Sequence, residues 1–333
     1  MTTIDLHLPT SWNGCTTADL EAIAAAIIQE QQRTDRYHPF DWSRVKLAVV
    51  LAINAMTVVA DAGASGRNAP ARNTAAGRVV AGSASDIGAS GDEYLVRRPQ
   101  DRAPWPITTG QLLALTERLA FLDDPKANRT IFAFPYPTLD VRCKKEEGRL
   151  LSHQTSDIIH LLGPAPLLDG YTWQEYRYLT DWMQEYMRCA NALAQSKMED
   201  GRGKAALENA RNEFLAVLFK PATSAISPLT SDIFAGFSPI KWQVILFWWS
   251  SLMGLLQQKF PRVFKPQPVG RDRQQKKNET PWDFYNRVTA TIQKYIGGLS
   301  EHDVNAATYG TILQQLDMMA QEAQEMEKLK NKK

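Results

Sequence analysis

Apolar residues recur at spacings of three and four along several stretches of the chain, the period of an amphipathic helix. Leu20, Ile23, Ala24 and Ile27 form one such stripe behind Thr16 and Asp19. That pair reads as an approximate capping box, each side chain meeting the other residue's free backbone N–H. Val45, Val49, Ile53 and Met56 form a second stripe, with Asp41 placed to cap it. Thr108-Thr109 opens a third helix carrying Leu112, Leu115, Leu119 and Leu122, closed by Asp123-Asp124-Pro125. The clearest helix follows Thr172 and Glu175, another capping pattern, with Tyr176, Leu179, Met183, Tyr186, Ala190 and Leu193 on one face. A further stripe of Leu207, Ala210, Phe214, Val217 and Leu218 ends at Lys220-Pro221.

The stretch Trp242 to Leu256, WQVILFWWSSLMGLL, is different because its apolar residues fall all round the cylinder. That pattern belongs to a helix enclosed by others. Ser238-Pro239 supplies an N-cap and a proline at the first helical position. As a helix the stretch rises only ~22 Å, short of the ~30 Å hydrocarbon layer. Lys241 and Lys259 close it, and Gln243, Ser250 and Ser251 interrupt it. The expectation is a core helix and no membrane segment.

Between the helical stripes the chain changes character. YLVRR (94–98) reads as a short strand, and IFAFPYPTL with SDIIHLLGPAPLL as irregular structure or a small strand pair, punctuated by proline. Residues 62–91 are dominated by Ala, Gly, Ser and Asn, with little to pack against backbone entropy, and are expected to be a disordered insertion. The expected division is an N-terminal helical part (1–61), that insertion, and a central helical body with short strands (92–265). A basic linker (266–280) and a small C-terminal helical unit (281–333) complete it. The fold class is therefore mainly α, an irregular multi-helix bundle with a few short strands.

With 44% hydrophobic residues and 9% aromatics, the 333-residue chain can bury substantial cores. Its 38 basic and 36 acidic residues nearly cancel, which leaves no global electrostatic footprint for nucleic acid. Cys15, Cys143 and Cys189 are odd in number and far apart, fitting neither a disulfide framework nor a metal knuckle, so a reducing cytoplasm is the simplest setting. MTTIDLHLPTSW has no positive region and no apolar core, so it does not read as a secretory signal.

Chemistry-bearing motifs are sparse. Gly201-Arg202-Gly203-Lys204 lacks the earlier glycine, the following Ser or Thr and the preceding strand of a phosphate loop, and reads as a polar turn between helices. The histidines, at 7, 38, 153, 160 and 302, form no HxxxH or HExxH spacing; His153 and His160 would share a face only on a helix, where a strand is expected. The acidic pairs Asp123-Asp124 and Glu146-Glu147 sit at a helix end and in a charged turn, away from the apolar surroundings that raise a carboxyl pKa. The basic clusters around Arg271 and Lys330 contain no interleaved aromatic residue for stacking bases. No catalytic, cofactor-binding or metal-ligating residues are therefore expected.

The order of several segments, IDLHLPTSWNGCTTADLEAIAAAI, TDRYHPFDWSRVK, LLALTERLAFLDDP with FAFPY, LLGPAPLLDGYTWQEYRYLTDWM, GFSP and FPRVF, resembles uncharacterised proteins encoded in prophages of Bacteroidetes. The resemblance runs along most of the chain outside the 62–91 insertion. It implies a place in the tail-morphogenesis region and a role like that of a tail assembly chaperone, binding another tail protein such as the tape measure. It carries no catalytic residues. The alternatives are a structural virion component, or an enzyme or DNA-packaging accessory with a dispersed site. Near the C-terminus Ile312, Leu316, Met319, Ala323 and Met326 repeat at heptad-like intervals over about two heptads, too short for a coiled coil. Methionine suits adaptable contacts. Such a stripe docks either on its own domain or on another protein; for the second case Ile312, Leu316, Met318, Met319 and Met326 are the expected partner-binding residues.

Overall fold

The computed structural model describes residues 6, 8–34, 39–61, 93–101, 103–124, 131–142, 158–196, 201–222, 229–264, 281–297 and 299–330. The expected insertion at 62–91 and linker at 266–280 lie outside the described residues, as do His7, His38, His153, Cys143 and Glu146-Glu147. The fold is mainly α with a few short antiparallel strands. It divides into two compact units whose boundaries do not follow chain order: Met1–Ile131 with Ser238–Ser251, and Phe132–Phe237 with Leu252–Lys333.

The first unit contains α1 (Thr17–Arg33), α2 (Trp42–Ile53) and α3 (Thr109–Glu117), with a sheet of β1 (Thr57–Asp61), β2 (Glu93–Arg97) and β3 (Trp105–Thr108). The Thr16–Asp19 and Thr108–Gln111 capping boxes are both formed, and Asp41 accepts from the Ser43 N–H at 2.8 Å. Glu30, buried near the end of α1, accepts from the Asp41 N–H at 3.2 Å and lies 3.6 Å from Arg44. One carboxylate thereby ties the end of α1 to the start of α2. The antiparallel sheet has the order β1-β2-β3, with a register irregularity between Val58 and Ala60. Neither β1 nor β3 was expected. Met56 is buried, but it precedes β1 and does not extend the helix.

The tryptophan-rich stretch is α6 (Pro239–Lys259), and its residues through Ser251 belong to the first unit. Trp242, Val244, Ile245, Phe247, Trp248 and Trp249 are all buried. Phe247 packs at 5.4 Å between ring centroids on Trp12, which also meets Phe121 edge-on. Ser251 is buried too, and its hydroxyl oxygen accepts from the Ile131 N–H at 2.6 Å, so the serine in this apolar run satisfies a backbone donor. Among the described residues, no helix is long and apolar enough to cross a membrane.

The second unit is built on a hairpin of α4 (Trp173–Ser196) and α5 (Gly201–Leu218). Gly201 to Lys204 was expected to be an interhelix turn; instead it forms the first turn of α5. A Cβ on Gly203 would lie 2.7 Å from Leu193 Cδ2, so the glycine permits the close approach of the two helices. A second sheet has the order β4 (Thr138–Arg142), β5 (Ile158–Leu162), β6 (Lys220–Pro221), so the expected pair is formed and gains a third member. β5 alternates, with Ile159 and Leu161 buried and Ile158, His160 and Leu162 outward.

The last three helices are α7 (Pro281–Ile296), α8 (Glu301–Ala306) and α9 (Tyr309–Lys330). They were expected to stand apart as a C-terminal unit, but they share the second unit with α4 and α5. The reason is a two-way backbone exchange. The Trp173 N–H donates to the Ala307 carbonyl at 2.7 Å, and the Tyr309 N–H donates to the Tyr171 carbonyl at 3.0 Å. Above it Tyr309 stacks on Tyr176 at 4.9 Å.

Gly163, at the end of β5, offers a sharp test of this packing. Its N–H donates to the Pro137 carbonyl at 2.9 Å, and a Cβ there would fall on the Tyr136 carbonyl oxygen and 2.6 Å from a Phe134 ring carbon. Gly163→Ala is expected to destabilise the protein by about 1–3 kcal/mol. Chemical denaturation that finds no loss would show that the sheet and the 134–137 segment do not meet this way.

Candidate functional site

α9 separates the five expected partner-binding residues into two groups. Ile312 is only 2% exposed, and with its neighbour Leu313 it belongs to the core of the second unit. It therefore cannot meet a partner without opening that core, which corrects its expected role. Leu316 and Met319 are half-buried. Met318 is 46% exposed and Met326 is 63% exposed.

This division has a simple cause. Ile312, Leu316, Met319, Ala323 and Met326 lie along one helical stripe, and the body of the unit covers only its first part. The Arg262–Asp317 pair, at 2.8 Å, and the hydrogen bond from the Tyr295 hydroxyl to Glu322, at 2.6 Å, fasten the covered part. Beyond Glu322 the stripe emerges, with Ala323 and Met326 both exposed. Leu329 is 64% exposed and adds an apolar side chain that the heptad count alone did not select.

At the other end of α9 is a cavity of about 360 Å³. Phe132, Leu167, Leu255, Phe260 and Tyr309 supply apolar walls, with Lys259 at its edge. The Tyr309 hydroxyl donates to the Leu167 carbonyl, and burial followed by the charge of Asp169 pushes its pKa up to about 12. The phenol therefore stays protonated and structural. Leu167 and Leu168 have φ of 56° and 57°, a left-handed conformation that costs non-glycine residues about 1–2 kcal/mol each. Full burial of the Leu168 side chain and the Tyr309 hydrogen bond hold the turn. Nothing in the apolar spacing announced this cavity, because its lining comes from four separate stretches of chain.

On α4, Arg177 is 3% exposed and donates to Asn286 on α7 and Asn305 on α8, each at 3.2 Å. A buried guanidinium needs such partners to offset its desolvation. Asp181 lies one turn further along α4. Burial raises its carboxyl pKa above 3.8, against the opposing pull of Arg177. Arg177 thereby joins three helices, α4, α7 and α8.

Cys15 and His160 are also explained by their surroundings. Burial, and then the Asp19 carboxylate, push the Cys15 thiol up to about 12, which keeps it from acting as a thiolate nucleophile. His160 faces outward and pairs with Asp140 at 2.7 Å across β4 and β5. Among the described residues no group of three or more His, Cys, Asp or Glu side chains is arranged to hold a metal ion.

No protein family, curated protein or solved structure matches the chain.

Two sets of variants test these placements. Ile312→Ala should cost about 2–5 kcal/mol, as for other buried aliphatic truncations. Met326→Glu and Leu329→Glu, on the bare part of α9, should leave the melting temperature nearly unchanged. Equal losses at all three positions would mean that the whole stripe is covered. Asp181 gives a pH test. Its pKa is raised in the folded state, so the native protein binds this proton more tightly, and stability rises as pH falls through the folded pKa towards 3.8. Asp181→Asn should therefore raise the melting temperature at pH 7, and the gain should vanish below pH 3.8. Thermal melts at both pH values decide it; a loss at pH 7 would show attraction to Arg177 to be the larger effect.

Proposed function

We propose that the protein acts by binding and not by turnover, as a non-enzymatic assembly factor in the host-cell cytoplasm. Its partner is another phage tail component, such as the tape-measure protein. The observation that carries the binding reading is the course of α9, whose single apolar stripe passes from buried Ile312 to bare Ala323 and Met326. A helix presenting apolar residues three apart is the form that fits a hydrophobic groove, or offers one side of it, in helix-mediated recognition. Methionine at positions 318, 319 and 326 gives that surface side chains able to repack against a partner. The tail-assembly part of the reading rests on the order of segments that resembles the prophage proteins.

The test is a chain ended after Glu322, which keeps the packed part of α9 and the Tyr295 hydrogen bond. It should melt at the full chain's temperature and capture the tape-measure protein of its phage at least about tenfold more weakly. Equal capture would reject α9 as the binding element. Mass spectrometry of purified particles then separates an assembly factor, which is absent from them, from a building block present in fixed copy number.

A further inference from the structure

We propose that the cavity at the start of α9 binds an anionic amphiphile: a carboxylate carrying an apolar chain. This site is independent of the bare end of α9. Its volume, about 360 Å³, lies in the range of small-molecule sites, ~300–1,000 Å³. The walls are preformed. Leu167 is fixed in its left-handed turn by the Tyr309 hydroxyl, and Tyr309 is itself held by its stack on Tyr176. Such a cavity binds without first ordering its lining, which removes one cost of association.

The lining also sets the ligand's polarity. Leu167, Leu255, Phe260 and Tyr309 offer hydrocarbon, and the Tyr309 hydroxyl is already committed to a backbone carbonyl. The polar side chains at the edge are Gln258 and Lys259, both exposed and both able to donate hydrogen bonds. The Lys259 ammonium lies 5.5 Å from the centre of the Phe260 ring, at the boundary between charge and apolar wall. Among the described residues that line it none is acidic; Asp169, which acts on Tyr309, is not one of them. A donor-rich edge with one positive charge among the described residues complements a singly charged head group, and a carboxylate matches that single lysine better than a phosphate dianion, whose second charge has no further cation among them. The hydrocarbon walls take the chain.

Gly310 makes the site testable. It lines the cavity on the first turn of α9, and a Cβ placed on it meets no atom within 4 Å. Gly310→Leu therefore fills the space without pushing backbone aside, and it replaces a glycine with a better helix former. Calorimetric titration of the full chain with sodium decanoate, kept below its micelle-forming concentration, should give saturable one-to-one binding. Decanol and decyltrimethylammonium should bind at least about tenfold more weakly, as should decanoate to Lys259→Met, since one charge-assisted contact is worth about that factor. Gly310→Leu should abolish binding and keep the full chain's melting temperature. Absence of saturable heat would overturn the proposal, and so would equal affinity for the three probes or undiminished binding by Gly310→Leu. If Gly310→Leu melts early, Lys259→Met, at an exposed position, decides alone. The titration needs no partner protein, so its failure leaves the α9 reading standing, and the reverse also holds.

Discussion

The second unit depends on the backbone exchange between residues 171–173 and 307–309. Two hydrogen bonds, from Trp173 to Ala307 and from Tyr309 to Tyr171, join the starts of α4 and α9 although more than 130 residues separate them in sequence. Each N–H at a helix start lacks an intrahelical partner. Here the start of each helix finds an acceptor beside the other helix. The rest of the arrangement follows from that register. Tyr309 is placed on Tyr176 and against the Leu167 turn, Arg177 reaches α7 and α8, and the first turns of α9 are covered by the unit that fixed them.

The same geometry explains why α9 cannot be apolar-faced and fully buried at once. At 22 residues it extends about 33 Å, longer than the surface that covers it. Its stripe therefore continues past Asp317 and Glu322, the last of its described residues seen fastened to the body. A bare apolar stripe following directly on a packed one keeps the orientation of the core beneath it. Two buried ionisable groups carry structural duties: Glu30 joins α1 to α2, and Arg177 joins three helices.

Local signals in the sequence were good guides. The capping patterns at Thr16 and Thr172 mark real helix starts because capping involves residues three apart. The charge-free tryptophan stretch reads correctly as a core helix because its apolar residues surround the cylinder. Signals that depend on distant residues were not legible. β1 and β3 exist through pairing with β2, and Gly201 to Lys204 became helix through packing of α5 on α4. The supposed separation of 281–333 failed because the link is made by main-chain atoms and by Asn286 and Asn305, which no hydrophobic period records. Ile312 shared a stripe with Met326, and only the extent of the covering body distinguished core from surface. The cavity was hidden for the same reason, its walls coming from segments scattered between residues 132 and 310.

Backbone hydrogen exchange along α9 measures the central claim most directly. In the free protein, amides from Ile312 to Met319 should exchange only through large-scale opening of the second unit, whereas those from Ala323 to Lys330 should exchange by local fraying, orders of magnitude faster. Addition of a true partner should slow the second group and leave the first unchanged. Uniform slow exchange along the whole helix, or fast exchange reaching back to Ile312, would contradict a stripe divided between core and binding surface.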